Sequence, residues 1–392
     1  KPMRAVDRDD HLAHLERAGH RITNRAAEAG NSVSILRSGD EAYPVMIAAI
    51  EEAQRSVVLS SYIFRADAAG SEFIAALVRA AQRGVEVRVL IDGIGAGYFV
   101  SHTHALLRRA RVPVARFMHS SLPWRMPFLN LRSHKKILGI DGRIAFAGGL
   151  NIGGENVTRA HPRHPVIDTH FRFEGPVVAQ LIEVFADDWS FTTGEHLAGA
   201  RWFPELRPVE GGSSIARVVT SGPDQDLEKI EFVILEAMAC ARSSVRIMTP
   251  YFLPDERIMT GLSLAAFRGV EVDVVIPEHS NHPTLDWGTR AQIGPLLAAG
   301  CRLWTHPAPF DHSKLMTVDN TWCMVGSSNW DVRSFRLNFE LDLELYDPAV
   351  AAQVNRLITA QQSSRILPQQ LTKRSLPIRI RDGAARLMLP YL

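Results

Sequence analysis

The feature that most constrains this chain is an internal duplication, because a fold made of two copies of one unit must satisfy the same pattern twice. Arg83-Gly84-Val85-Glu86-Val87 recurs as Arg268-Gly269-Val270-Glu271-Val272. Each copy follows a helical pattern, Ser71 to Gln82 or Glu256 to Phe267, and runs on as an apolar strand, Val85 to Ile91 or Val270 to Ile276. Upstream, a helix ends near Gln54 or Ala241. A strand follows it, Ser56 to Phe64 or Ser244 to Phe252, with Tyr62 or Tyr251 close to its end. Helices alternating with continuous apolar strands predict an α/β fold of two pseudo-symmetric halves, each a mixed, largely parallel sheet flanked by helices.

The divisions expected from this pattern are an N-terminal arm over 1–37, a first half over 38–205 and a second half over 214–360. A linker over 206–213 joins the halves near Gly211-Gly212-Ser213, and a basic amphipathic tail follows over 361–392. With 392 residues, 46% of them hydrophobic, the chain can bury a core for two domains. A net charge of +2 neither demands nor excludes a nucleic-acid partner. Cys240, Cys301 and Cys323 are scattered and odd in number, which fits neither a zinc site nor a disulfide framework and points to a reducing compartment. No run approaches the roughly 18 apolar residues of a membrane span, and no secretory signal stands in the charged segment from Lys1 to Asn31.

The duplication extends to residues that carry chemistry. His134-Lys135-Lys136, Asp141 and Gly148-Gly149-Leu150-Asn151 match His312-Ser313-Lys314, Asp319 and Gly326-Ser327-Ser328-Asn329, with the same interval from histidine to asparagine in both copies. Further on, Glu174-Gly175-Pro176-Val177-Val178 resembles Tyr346-Asp347-Pro348-Ala349-Val350, a register that sets Asp168 opposite Glu340. Residues i and i+2 of a strand share a face, so each His-x-Lys projects together from the first strand of a hairpin. Asp141-Gly142 and Asp319-Asn320 read as the hairpin turns. A lone His–Lys pair says little; two pairs kept at identical spacing while most neighbours drifted mark one shared site.

Neutral imidazole is a competent nucleophile near neutral pH and, once charged, a good general acid. Two histidines on opposite sides of a phosphodiester can divide an in-line displacement, one attacking phosphorus and the other protonating the departing alkoxide. Lys136, Lys314, Asn151 and Asn329 supply charge and donors for the non-bridging oxygens, work a metal would otherwise do. Asp168 and Glu340 hold matched positions from which a carboxylate could orient each imidazole. No cofactor and no metal are expected, and the histidines His102, His104, His161, His164 and His170 form no ligand spacing.

The doubled H-x-K-x4-D motif followed by G-G/S-x-N closely resembles the phospholipase D superfamily across residues 36 to 360. Asn130 to Ile137, Gly148 to Gly153, Asp168-Thr169-His170, Glu174-Gly175-Pro176 and the Leu-Pro-Tyr-Leu ending at Leu392 resemble bacterial cardiolipin synthases. The resemblance implies a phospholipase D-like fold and a phosphatidyl-histidine intermediate. That intermediate is resolved by an alcohol such as the head group of phosphatidylglycerol, or by water. It implies a catalytic set of His134, Lys136, Asp141, His312, Lys314 and Asp319 in one active site within one chain. Within that set it makes Asp141 and Asp319 structural, in agreement with the turn reading, and favours His134 as nucleophile with His312 as acid/base. Which carboxylate serves which histidine stays open, as does a phosphate contact from Ser327, where the first copy has Gly149.

The function expected is phosphatidyl transfer of cardiolipin synthase type between phospholipids. The alternative is a phospholipase D or other phosphodiesterase or nuclease hydrolysing through the same intermediate. A nuclease would need a basic groove with stacking aromatics, and no such stripe is visible, so no nucleic-acid partner is expected. The expected place is peripheral, on the cytoplasmic side of a bacterial inner membrane. Trp124 and Phe128, in a proline-broken apolar stretch before the first motif, read as a lid or interfacial loop, against a buried connection as the alternative. The tail from Lys373 to Leu392 mixes arginines with Ile378, Ile380 and Leu387 and suits an anionic surface, or equally a helix packed on the core. Asp92-Gly93-Ile94-Gly95 reads as a loop, not a dinucleotide fingerprint.

Overall fold

The structure, a computed structural model, describes residues 11–95, 97, 100–119 and 131–388. Trp124 and Phe128 lie outside the described residues. The repeats fold as expected: helices Ala68–Gln82 and Glu256–Phe267 lead into strands Glu86–Asp92 and Glu271–Pro277. Asp67 and Asp255 cap these helices with their side chains, holding Gly70 N in one copy and Arg257 N and Ile258 N in the other.

The two halves share one 16-stranded mixed sheet. Its outer parts are parallel, with Glu86–Asp92 between Ser56–Ser61 and Val114–Phe117, and Glu271–Pro277 between Ser244–Met248 and Arg302–His306. Toward the middle the pairing turns antiparallel, through the hairpins Ile137–Ile140/Ile144–Gly148 and Leu315–Val318/Trp322–Gly326 to Thr169–Glu174 and Asn338–Tyr346. Two strands fill the centre. Glu28–Arg37 pairs with Thr169–Glu174, Ser214–Ser221 pairs with Asn338–Tyr346, and the two pair with each other. Residues 28–37, read above as part of an arm, thus hold in the first half the place that Ser214–Ser221 holds in the second. Their apolar content, little beyond Val33, Ile35 and Leu36, is too thin to announce a strand.

Both hairpin turns are left-handed at two successive residues, Asp141 and Gly142, and Asp319 and Asn320. This is the geometry that matches the twist of flanking strands and that Asp, Asn and Gly tolerate best. One face of the sheet carries a core continuous across the centre: Phe171, Phe173 and Phe185 of the first half pack in one cluster with Val218, Leu343 and Val354 of the second. The opposite face splits into separate cores around Phe73 and Phe146, and around Trp322 and Phe252. The shared core holds the halves in a fixed relation. No helix among the described residues is long and apolar enough to cross a membrane.

Candidate active site

A cavity of about 1430 Å³ opens between the halves, lined by His134, Asn151, Asp168, His312 and Asn329 among others. The motif histidines and lysines do not sit inside the hairpin strands as the pattern suggested. They occupy the extended links just before them, with strands beginning at Ile137 and Leu315. The reason is a change of partner. His134 N donates to Phe339 O at 2.8 Å and His312 N to Ile167 O at 2.7 Å, so each motif is stitched to the opposite half. The short strands Arg132–Ser133 and Phe310–Asp311 make the same crossing, pairing with Asn338–Phe339 and Val166–Ile167.

That stitching sets the carboxylates. Glu340 follows Phe339 and Asp168 follows Ile167, so each carboxylate meets the histidine of the other half. His312 Nδ1 lies 2.8 Å from Asp168 Oδ2, and His134 Nδ1 lies 3.2 Å from Glu340 Oε1. The first is a good hydrogen bond; the second is an ion-pair distance off the hydrogen-bond line, leaving His134 Nδ1 without a formal partner. Lys314 Nζ also approaches His312 Nδ1 at 2.7 Å. One nitrogen cannot donate to a carboxylate and accept from an ammonium. Because Lys314 also has the His312 carbonyl as acceptor, the consistent assignment is Nδ1–H toward Asp168, with the lone pair on Nε2.

The residue-by-residue alternation holds. Lys136 shares the side of His134, donating to its carbonyl at 2.6 Å, while Lys135 turns away to Asp188 at 2.9 Å. Asn151 Oδ1 accepts from Ile63 N, which leaves its NH₂ as the end able to meet a substrate oxygen, while Asn329 Oδ1 is buried without a partner. Asp141 and Asp319, by contrast, do not reach the cavity. Asp141 accepts from the N–H groups of Gln54, Arg55 and Ser56, and Asp319 from those of Arg242, Ser243 and Ser244. Each fastens its turn to the link that enters a parallel strand, so their place among the catalytic residues is corrected to one of support.

Ser327 is turned away from the phosphate position: its Oγ donates to Glu340 Oε2 at 2.5 Å. In the first half a side chain there is excluded, since a Cβ on Gly149 would sit 2.2 Å from Asp168 Oδ1. Tyr62 and Tyr251 form cleft wall, their rings 4.5 Å and 6.1 Å from those of His134 and His312. His279 and His282 border the cavity, whereas His170 is buried beneath it. The sequence reading missed Arg132 and Arg333, which line the cavity from opposite halves. Their signal was positional, two residues before a motif histidine and four after a motif asparagine.

Burial, then the adjacent Lys314, pushes the His312 imidazole down to about 4; burial, then Lys136, lowers His134. Burial, with Lys314 as a neighbour, drops Lys136 to about 7. Burial opposes ionisation of Asp168 and Glu340, but Lys314 and His312 for one, and His134 and Lys136 for the other, hold both carboxyls below their usual range. These shifts favour neutral imidazoles at His134 and His312, ionised carboxyls at Asp168 and Glu340, and easier proton loss from Lys136 and Lys314.

Residues 46–189 and 234–361 match the family model described as "Cardiolipin synthase, PLD-like domain". The chain is 32% identical over 384 residues to a cardiolipin synthase of Geobacillus kaustophilus, covering 97% of this chain and 76% of that protein. It is 30% identical over 398 residues to cardiolipin synthase 1 of Bacillus cereus, covering 99% and 78%. Among solved structures, phosphatidylserine synthase of Haemophilus influenzae superposes with a TM-score of 0.72 at 15% identity, covering 96% of this chain and 100% of that one, a likeness of fold. The motifs, the architecture and these matches agree: the chain belongs to the cardiolipin synthase-type enzymes of the phospholipase D superfamily.

Proposed function

We propose that this protein transfers a phosphatidyl group from one phosphatidylglycerol to a hydroxyl of another, forming cardiolipin and releasing glycerol. The crossed pairing, in which each half orients the other's histidine at one cleft, supports this reading most directly, because two imidazoles so held can take complementary roles about one phosphorus. His134 Nε2 attacks phosphorus as the bond to the glycerol oxygen breaks, and His312 gives that oxygen its proton. The acceptor hydroxyl then gives its proton to His312 and attacks phosphorus, breaking the P–N bond. An entering phosphate supplies the negative charge that offsets Lys136 and Lys314, which raises the histidine pKa values and lets His312 hold the proton it donates.

The relatives, named cardiolipin synthases, support the choice of lipid. A peripheral seat on the bilayer is supported by the helix Leu376–Met388. It exposes Leu376, Ile380 and Leu387 beside Arg379 and Arg386, and Arg386 lines the cavity. Labelled phosphatidylglycerol in vesicles tests the reaction: cardiolipin and glycerol in equal amounts are expected, and phosphatidic acid as the sole lipid product would replace the transferase with a hydrolase.

A further inference from the structure

The crossing that brings Asp168 to His312 is fastened by a side chain from a third element. Arg37 ends the central strand Glu28–Arg37, in register with Thr169, the residue after Asp168. Its Nη2 donates to Asp311 Oδ2 at 2.8 Å, and its Nη1 to Thr169 Oγ1 at 2.6 Å and to Ser313 Oγ at 3.1 Å. Asp311 and Ser313 stand immediately before and after His312, and both are buried. One guanidinium therefore holds neighbours of both members of the His312–Asp168 pair.

The same groups are bound to one another. Asp311 Oδ1 accepts from Ser313 N at 3.0 Å, the Thr169 and Ser313 hydroxyls lie 2.7 Å apart, and Thr169 N donates to Asp168 Oδ1 at 2.7 Å. With His312 N on Ile167 O, three successive residues, 311 to 313, are tied to the first half. Asp311 meets the charge of Arg37, so what the guanidinium adds is direction: a planar fork fixes several partners at once, as a point charge on a flexible stem does not. Beside His134 the flanking residues are held otherwise, and from within the first half. Ser133 N donates to Asp92 Oδ2, and Lys135 Nζ to Asp188. Thr220, which takes the register place of Arg37 in the second half, donates to Asp226 instead.

We infer that Arg37 is a positioning residue for the general acid, fixing the tilt of the His312 ring so that Nε2 meets the leaving oxygen. Arg37 is not among the residues that line the cavity, so it acts through its neighbours and not on substrate. This role rests on the phosphatidyl-transfer reading above: His134 Nε2 bonds to phosphorus, the bond to the glycerol oxygen breaks, and the His312 proton goes to that oxygen. Proton transfer needs donor and acceptor in line within hydrogen-bond reach, so a small displacement of the ring weakens it first. Attack by His134, whose main chain is held at Phe339 and whose ring faces Glu340, does not run through Arg37. Losing Arg37 therefore raises the barrier chiefly where the leaving oxygen needs a proton.

The test compares leaving groups in a single turnover, with enzyme in excess over lipid in detergent micelles. Phosphatidylglycerol releases glycerol, whose oxygen must be protonated; phosphatidyl-p-nitrophenol releases a phenolate, which departs without a proton. In Arg37→Gln, glycerol release is expected to slow by about tenfold or more and nitrophenolate release by less than about threefold, with Arg37→Lys intermediate on glycerol. Equal slowing of both, or slowing of neither, overturns the inference. If Arg37→Gln does not fold, Arg37→Lys decides by the same comparison: slowing confined to glycerol supports the role, and any other pattern overturns it. His312→Ala is the reference. Equal slowing of both substrates in that variant would sink the acid role of His312 itself, whereas a leaving-group difference there that the Arg37 variants do not share removes Arg37 alone.

Discussion

On one side of the cleft, the His134 ring packs against Tyr62, close in sequence to Arg132; on the other, His312 packs against Phe310 and Tyr251. Behind them the supports differ as well. Asp168 closes on Gly149, while the longer Glu340 is bridged by the Ser327 hydroxyl. The paired histidines, lysines and asparagines have stayed alike through duplication. Residues around them, such as Arg132 and its counterpart Phe310, have not.

Removing either histidine bears hardest on the comparison. His134→Ala and His312→Ala are each expected to lower turnover by about 10³-fold or more, since each removes a group needed at phosphorus. The sides should separate in acid-free trapping of the phosphoryl adduct: absent in His134→Ala, retained in His312→Ala. The reverse pattern would exchange their roles.

Next in size is Gly149→Ser, which writes the second half's residue into the first. Its Cβ would lie 2.2 Å from Asp168 Oδ1, so the carboxylate must move and release His312. A loss of about 10–100-fold is expected, the range typical when an orienting partner is lost. The reciprocal Ser327→Gly removes the bond to Glu340 and one accepted from Leu341 N, without pushing on the carboxylate, and should lose less than tenfold. Equal losses, measured as kcat/KM, would show that the two supports are equivalent after all.

The lysines give a smaller, graded effect. With Lys136 pushed down to about 7, its charge fades as pH rises past neutrality, so kcat/KM should decline above pH 7, and a flat profile to pH 9 would contradict that. The stability sign runs with it. Between about 7 and 10.5 the unfolded chain binds a proton that the folded chain releases, so the charged lysine opposes folding fully below 7 and not at all above 10.5. Lys136→Met should therefore stabilise by about 1–3 kcal/mol at pH 6, with the gain shrinking toward pH 10 in denaturant titrations. Smallest in activity are Asp141→Ala and Asp319→Ala. Each should cost about 1–3 kcal/mol of stability by orphaning backbone N–H groups, while activity per folded molecule changes less than twofold. The Asp319 variant should lose more, since that carboxylate also holds Ser243 Oγ and His11.

What the sequence made legible was local or repeated. The helix Glu256–Phe267 and the turns at Asp141 and Asp319 follow from periodicity and turn chemistry, and the duplication exposed His134, Lys136, His312 and Lys314. Which carboxylate serves which histidine was hidden, because it depends on Phe339 and Ile167 accepting main-chain bonds from the opposite half, contacts between residues far apart in the chain. Glu28–Arg37 was hidden for another reason: a strand held mostly by its ladder bonds needs little apolar patterning. Arg132 and Arg333 escaped notice because a search for sameness between the copies passes over the positions where they differ.

The crossing of the carboxylates has a consequence for descent. A single half carries a histidine without its carboxylate and a carboxylate without its histidine, so it can complete a site only against a second half. An isologous dimer of such units would satisfy every one of these contacts, but symmetry would oblige it to present the same wall on both sides. Joining the two genes into one chain lifts that obligation. Arginine can then stand at position 132 while its counterpart at 310 is phenylalanine, so the two walls of one cleft are free to diverge.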